Sequence, residues 1–141
     1  MDSKASAVWK GDLKGGSGTI SANSGVLAGA AYTFATRFEG SAGTNPEELI
    51  AAAHAGCYSM ALSHGLASGG NTPDHVSTTA NVTLEAVEGG FAVTKIHLEC
   101  SARVPGISAA AFDAAANDAK AGCPISKLMN AEISLNAVLE S

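Results

Sequence analysis

From Leu49 to Pro73 the chain carries no Asp, Glu, Lys or Arg, and alanine dominates the stretch. The start of this segment reads as a helix start. Asn45 suits the N-cap, Pro46 the first helical position and Glu48 the place of a capping-box acid. Glu47 and Glu48 also lie against the positive end of the helix dipole. Gly69-Gly70-Asn71, with Pro73 just beyond, reads as the stop. A helix without charge on any side either spans a membrane or is covered on every face. His54, Ser59, Ser63 and His64 interrupt the run and bulky aliphatics are few, which excludes the spanning reading. A chain of 141 residues has little material to wrap such a helix completely. A second subunit is therefore expected to help cover it, in an obligate, intertwined homodimer.

Composition narrows the remaining classes. With 46% hydrophobic and 15% charged residues, intrinsic disorder is excluded. A net charge of −5 and only eight Lys and Arg leave no phosphate grip, so neither nucleic acid nor a membrane surface is an expected partner. No basic stretch followed by an apolar run opens the chain, so no signal peptide is expected. The three cysteines, 57, 100 and 123, are odd in number and contain no CxxC pair. That disfavours a disulfide framework and a structural zinc site, and points to a reducing cytoplasm.

Flanking the helix, the pattern is mostly strand. Ala5 to Lys10, Thr19 to Ala22 and Tyr32 to Phe38 read as a meander broken by glycine turns. The run Gly15, Gly16, Gly18 lacks a following Lys-Ser/Thr and a helix, so it reads as a hairpin and not as a phosphate loop. Val76, Thr78, Ala80, Val82, Leu84 and Ala86 alternate with mostly polar residues, and Glu88-Gly89-Gly90 turns into a second strand. On that strand Thr94, Ile96, Leu98, Cys100, Ala102 and Val104 share the inward face. Ser108 caps a second alanine-rich helix running to about Lys120, and Pro124 starts a short helical turn. Ile133, Leu135, Ala137 and Leu139 alternate along a last strand. Strands and helices partly segregated along one domain, 1–141, give an α+β class.

Three groups could carry chemistry. Cys57 lies in the uncharged helix, where a cysteine is most simply a small buried hydrophobe. At about 100° per residue, His54 and Glu47 fall within about 60° and 80° of it around the axis, which puts a thiol, an imidazole and a carboxylate on one side. Cys123 follows a helix stop and precedes Pro124, at a helix amino end that favours thiolate. The two cysteines could meet as a peroxidatic and resolving pair, a contact that spacing permits without requiring. Arg37, before the loop into the helix, could lower a thiol pKa and be held by a carboxylate such as Glu47, or be a solvated partner of Glu39. His54 could tune Cys57 or be a hydrogen-bonded core histidine.

Thr36-Arg37-Phe38-Glu39-Gly40 and the block from Gly43 through Cys57 to Leu62 resemble the central block of the OsmC/Ohr family, on its OsmC branch. That family comprises osmotically inducible protein C and the organic hydroperoxide resistance proteins. Ala119 to Ser126 resembles its second cysteine motif, and the likeness runs from about Trp9 through the final strand. The resemblance implies a thiol peroxidase, with Cys57 peroxidatic, Cys123 resolving, and Arg37 and Glu47 orienting and activating the site. It implies an OsmC-like fold, antiparallel sheets wrapped around long central helices, with two sites at the interface of interlocked subunits. Organic or lipid hydroperoxides are the implied substrates and an external dithiol, lipoylated proteins among them, the reductant, with no metal, haem or flavin. Cys100 is additional, without a family role. Two rivals stay open at this level: a non-catalytic dimeric module that binds a small apolar ligand, and a transferase using Cys57 as nucleophile and His54 as base.

Overall fold

The computed structural model describes residues 1–141. Its contacts cluster into two compact units, Met1–Leu49 and Ile50–Ser141. In the first, strands β1 (Ala5–Lys10), β2 (Ser17–Ala22) and β3 (Ala30–Thr33) form an antiparallel meander in the order β1-β2-β3. The glycine run is a close-packing device. A Cβ on Gly18 would stand 2.5 Å from the Tyr32 ring and 2.6 Å from the Val8 carbonyl, so only hydrogen fits. Above it Trp9 and Tyr32 pack with ring centroids 5.2 Å apart.

The third strand is shorter than its sequence pattern suggests. After Thr33 the chain turns into a short helix, α1 (Phe34–Phe38), so Arg37 rides on a helix and not on a strand end. The cause is a capping box. Thr36 N–H donates to Thr33 Oγ1 at 3.2 Å, and Thr33 N–H donates to Thr36 Oγ1 at 2.9 Å. Two threonines, counted as β-formers in the pattern, here satisfy the orphan amides of a helix start. At the next helix start, Glu48 N–H donates to Asn45 Oδ1 at 2.9 Å, confirming the N-cap. The Glu48 carboxylate accepts the Thr44 hydroxyl at 2.8 Å, while the Asn45 amide donates to the Thr36 carbonyl at 3.0 Å.

The uncharged segment forms α2 (Pro46–Ser68), a 23-residue helix. No helix is long and apolar enough to cross a membrane. Within the second unit α2 is covered on one side only. His54, Tyr58, Leu62 and Leu66 recur every four residues and are buried. Ala53, Gly56, Met60, His64 and Ala67 lie on the other side and are exposed, Met60 at 76%. The expected cover on every face is thus absent from a single chain.

The remainder of this unit is a three-stranded sheet in the order β4-β5-β6, with β4 His75–Val87, β5 Gly90–Arg103 and β6 Glu132–Glu140. β4 and β5 join through Gly89, whose φ of +88° glycine adopts without strain. The buried stripe of β5 is Ile96, Leu98, Cys100, Ala102, and Val104 follows it. Thr94 leaves that stripe. Thr83 pairs with Lys95 and Leu84 with Val93, so Thr94 is the extra residue of a bulge, and its hydroxyl donates to Glu85. The sheet is mixed, where only antiparallel pairing was expected: β6 runs parallel to β5, from Lys95 opposite Glu132 to Arg103 opposite Glu140. A parallel neighbour needs a crossover. Helices α3 (Ala109–Gly122) and α4 (Pro124–Leu128) supply it, and Phe112, Ala116 and Ala119 of α3 are buried in the core.

Candidate active site

Cys123 stands at the joint of the crossover, as C-cap of α3 and N-cap of α4. Its amide donates to the Ala119 carbonyl at 2.9 Å, closing α3. Its sulfur accepts the Ser126 amide at 3.3 Å, opening α4. Pro124, at the first turn of α4, has no N–H to satisfy. The cysteine thus occupies a place that Ser, Thr, Asp or Asn usually fill, and it is fully buried.

Cys57, partly buried on α2, packs against the core cluster that contains Cys123. All three cysteines are free thiols. Burial pushes the Cys57 thiol above its ordinary value, and the neighbouring Cys123 thiol raises it further, whereas the Ile125 amide pulls it down. At the amino end of α4 the Ser126 amide is thus bonded to the Cys123 sulfur, and the Ile125 amide favours the Cys57 anion. Every group that acts on Cys57 lies in the second unit. Cys100, 4% exposed on β5, is raised chiefly by burial and belongs to the sheet core.

His54 is the hydrogen-bonded core histidine. It is fully buried, with Nε2 2.7 Å from Ser126 Oγ. Burial pushes its pKa down, which favours the neutral imidazole. Its Nδ1 is buried with no hydrogen-bond partner. Leaving such an atom unpaired costs about 1–3 kcal/mol. Ser126 was not among the residues singled out from sequence. The signal available was its place three residues after Cys123, where a side chain can meet an N-cap residue.

The first unit carries the second pair. Arg37 donates Nη2–H to Glu47 Oε1 at 2.7 Å and Nε–H to Glu47 Oε2 at 3.1 Å, a two-pronged fork. The Glu47 side chain is 11% exposed and that of Arg37 35%. The carboxylate holds the guanidinium firmly in its charged form. Glu39, the alternative partner, is not bonded to Arg37. Arg37 also lies 5.3 Å over the Phe38 ring, a cation–π contact. A cleft of about 210 Å³ opens beside it, lined by Trp9, Leu13, Tyr32, Phe34, Arg37 and Phe38. One charged fork thus borders an aromatic wall. No group of three or more His, Cys, Asp or Glu side chains is placed to hold a metal ion.

The four residues expected at the site therefore form two pairs, Cys57 with Cys123 and Arg37 with Glu47. Residues 38–137 match the family described as OsmC-like protein. The chain is 55% identical over 138 residues to Peroxiredoxin OsmC of Escherichia coli (strain K12), covering 98% of this chain and 96% of that protein. It is 31% identical over 101 residues to the Organic hydroperoxide resistance protein of Xanthomonas axonopodis pv. citri (strain 306), covering 71% and 69%. The solved structure of the organic hydroperoxide resistance protein OhrB of Bacillus subtilis matches with a TM-score of 0.68 at 26% identity, covering 97% of this chain and 98% of that one. An OsmC-like protein from Mycoplasma pneumoniae, at 15% identity and a TM-score of 0.75 over 100% and 99%, shares the fold.

Burial orders the reactivity of the three thiols. Under native conditions iodoacetamide should modify Cys57 first, with Cys100 and Cys123 protected until the chain unfolds. Time-resolved mass mapping checks the order, and early labelling of Cys123 would contradict its buried capping position.

Proposed function

The chain belongs to the OsmC/Ohr family, on its OsmC branch, and from that premise we propose that it is a thiol-dependent peroxidase reducing organic hydroperoxides to alcohols. The reading rests on one observation: two free thiols share one core cluster, Cys57 packing against the cluster that contains Cys123 at the amino end of α4. The Cys57 thiolate attacks the outer oxygen of ROOH. The O–O bond breaks, the departing alkoxide takes a proton to leave as alcohol, and the sulfur, oxidised by two electrons, becomes a sulfenic acid. The Cys123 thiol then displaces the sulfenic oxygen as water and forms a Cys57–Cys123 disulfide. An external dithiol, a lipoylated protein being one such reductant, reopens it by exchange. This cycle asks no metal, haem or flavin of the protein, and suits the reducing cytoplasm.

Because burial opposes ionisation of Cys57, the amide of Ile125 needs help from a full positive charge. The Arg37–Glu47 fork is that charge. Glu47 and Cys57 are ten residues apart on α2, about 15 Å of rise along its axis. In this reading the fork that meets a given Cys57 is supplied by a second copy of the chain, since the bare side of α2 calls for a partner. The exposed, uncharged side of α2 through Gly56, Met60 and His64 is the surface along which two copies pack, giving a homodimer with two composite sites. The aromatic cleft beside Arg37 accepts the organic part of the peroxide, which favours alkyl and lipid hydroperoxides over hydrogen peroxide.

Exposure to one equivalent of cumene hydroperoxide should produce a single Cys57–Cys123 disulfide in a non-reducing tryptic mass map. Cys57→Ser should abolish turnover, and Cys123→Ser should consume about one equivalent without cycling on a dithiol. Neither the ligand-binding module nor the transferase forms that disulfide, so its absence overturns the reading.

Removing the cation should reverse its effect on the thiol. In Arg37→Ala the pKa of Cys57, read from pH-dependent alkylation, should rise, and peroxide turnover at neutral pH should fall by about tenfold or more. An unchanged titration removes Arg37 from the activating role. Met60→Glu places a charge on the uncharged side of α2 and should convert dimer to monomer in sedimentation velocity, with loss of turnover because each site needs both copies. A dimeric, active Met60→Glu protein would exclude that face.

A further inference from the structure

The mechanism above leaves one buried group without a task. His54 Nε2 lies 2.7 Å from Ser126 Oγ, and Ser126 Oγ accepts the Cys123 thiol at 3.1 Å. The three side chains come from α2, α4 and the joint before α4, and all are buried. Their hydrogens run one way. The Cys123 S–H points to Ser126 Oγ, and that hydroxyl has one hydrogen of its own, which it gives to His54 Nε2. With the hydrogens running this way, Nε2 accepts and Nδ1, the atom without a partner, carries the imidazole hydrogen.

This arrangement is poorly explained by packing. A leucine or methionine in place of His54 would fill the same space without the unpaired Nδ1, so the imidazole is kept at a cost. The chain of bonds ends on the sulfur that must lose a proton during resolution, and that sulfur is fully buried, away from the water that would otherwise accept the proton. Ser126 N–H, bonded to the same sulfur at 3.3 Å, is positioned to stabilise the thiolate that results.

We propose that Ser126 is a catalytic residue and His54 a positioning residue for disulfide formation, together relaying the Cys123 thiol proton during attack on the Cys57 sulfenic acid. The inference rests on the thiol-peroxidase reading. In the step, the Cys123 proton passes to Ser126 Oγ as the Ser126 proton passes to His54 Nε2. The Cys123 sulfur donates its electron pair to the Cys57 sulfur and the S–O bond breaks. The imidazolium then returns a proton to Ser126 Oγ as the serine hydroxyl gives its own to the hydroxide leaving the Cys57 sulfur, so one disulfide and one water form from a sulfenic acid and a thiol. No further oxidant or reductant enters.

The relay serves the second chemical step and not the first, which is what separates it from a structural role. The full-length protein is mixed with cumene hydroperoxide and quenched at intervals with dimedone, and mass mapping follows the sulfenic acid and the disulfide separately. Ser126→Ala and His54→Gln should form sulfenic acid within about twofold of the wild-type rate and the disulfide at least about tenfold more slowly. The gap should expose Cys57 to excess peroxide, so its sulfinic acid accumulates in both variants. Glutamine keeps a polar group near Ser126 without a basic nitrogen, and Ser126→Thr keeps the hydroxyl and should restore disulfide formation to within about threefold. Disulfide formation at the wild-type rate in Ser126→Ala overturns the relay. So does a parallel slowing of both steps, which marks distortion of the site. Should His54→Gln fail to fold, Ser126→Ala, the loss of one oxygen atom, together with its threonine rescue, decides the question. A wild-type protein that forms no Cys57 sulfenic acid instead brings down the peroxidase reading itself, an outcome that these variants do not imitate.

Discussion

The governing constraint is a thiol set in a helix without charged neighbours. Burial there penalises the sulfur anion, and everything placed around Cys57 can be ordered by whether it adds to that penalty or offsets it. The hydrophobic surroundings and the Cys123 thiol add to it, and the Ile125 amide offsets it. A backbone amide is a fixed partial charge that costs no reorganisation when the anion forms, but it is weaker than a guanidinium. The Arg37–Glu47 fork is built the other way round, as a full charge whose orientation is locked by a carboxylate before any substrate arrives. A cation paired in this manner is preorganised, at the expense of part of its field.

The same absence of charge shapes the outer side of α2. Glycine at position 56 costs up to about 1 kcal/mol relative to alanine within a helix, and a Cβ there would meet nothing within one chain. The helix that carries Cys57 is thus covered on one side and bare on the other. In the proposed dimer the thiol pair would be internal to each copy and the activating cation would come from the other, which would tie reactivity to association.

Much of this was legible from the amino-acid order because local physics carried it. Asn45 and Pro46 mark a helix start through capping geometry alone, and Ser108 and Pro124 do the same for the later helices. The inward stripe of β5 follows from strict alternation, which also put Cys100 in the core. Alternation failed at Thr94, because a bulge adds one residue without altering composition. It failed also at Thr33 to Phe38, where β-branched and aromatic residues spell a strand and the reciprocal threonine cap makes a helix turn. The contact of His54 with Ser126 spans 72 residues, and no periodicity reports a pairing of that range. The parallel direction of β6 was hidden for the same reason, since a strand's own pattern is blind to the direction of its neighbour.

That parallel pairing has a consequence for how the thiols find one another. β4 and β5 zip together through a tight turn, but β6 must wait for the whole α3–α4 crossover to close, a larger loss of chain freedom. Cys123 sits at the joint of that crossover, as C-cap of α3 and N-cap of α4. Sheet register and thiol geometry are thereby tied, because the crossover that carries Cys123 is anchored at one end by β5 and at the other by β6.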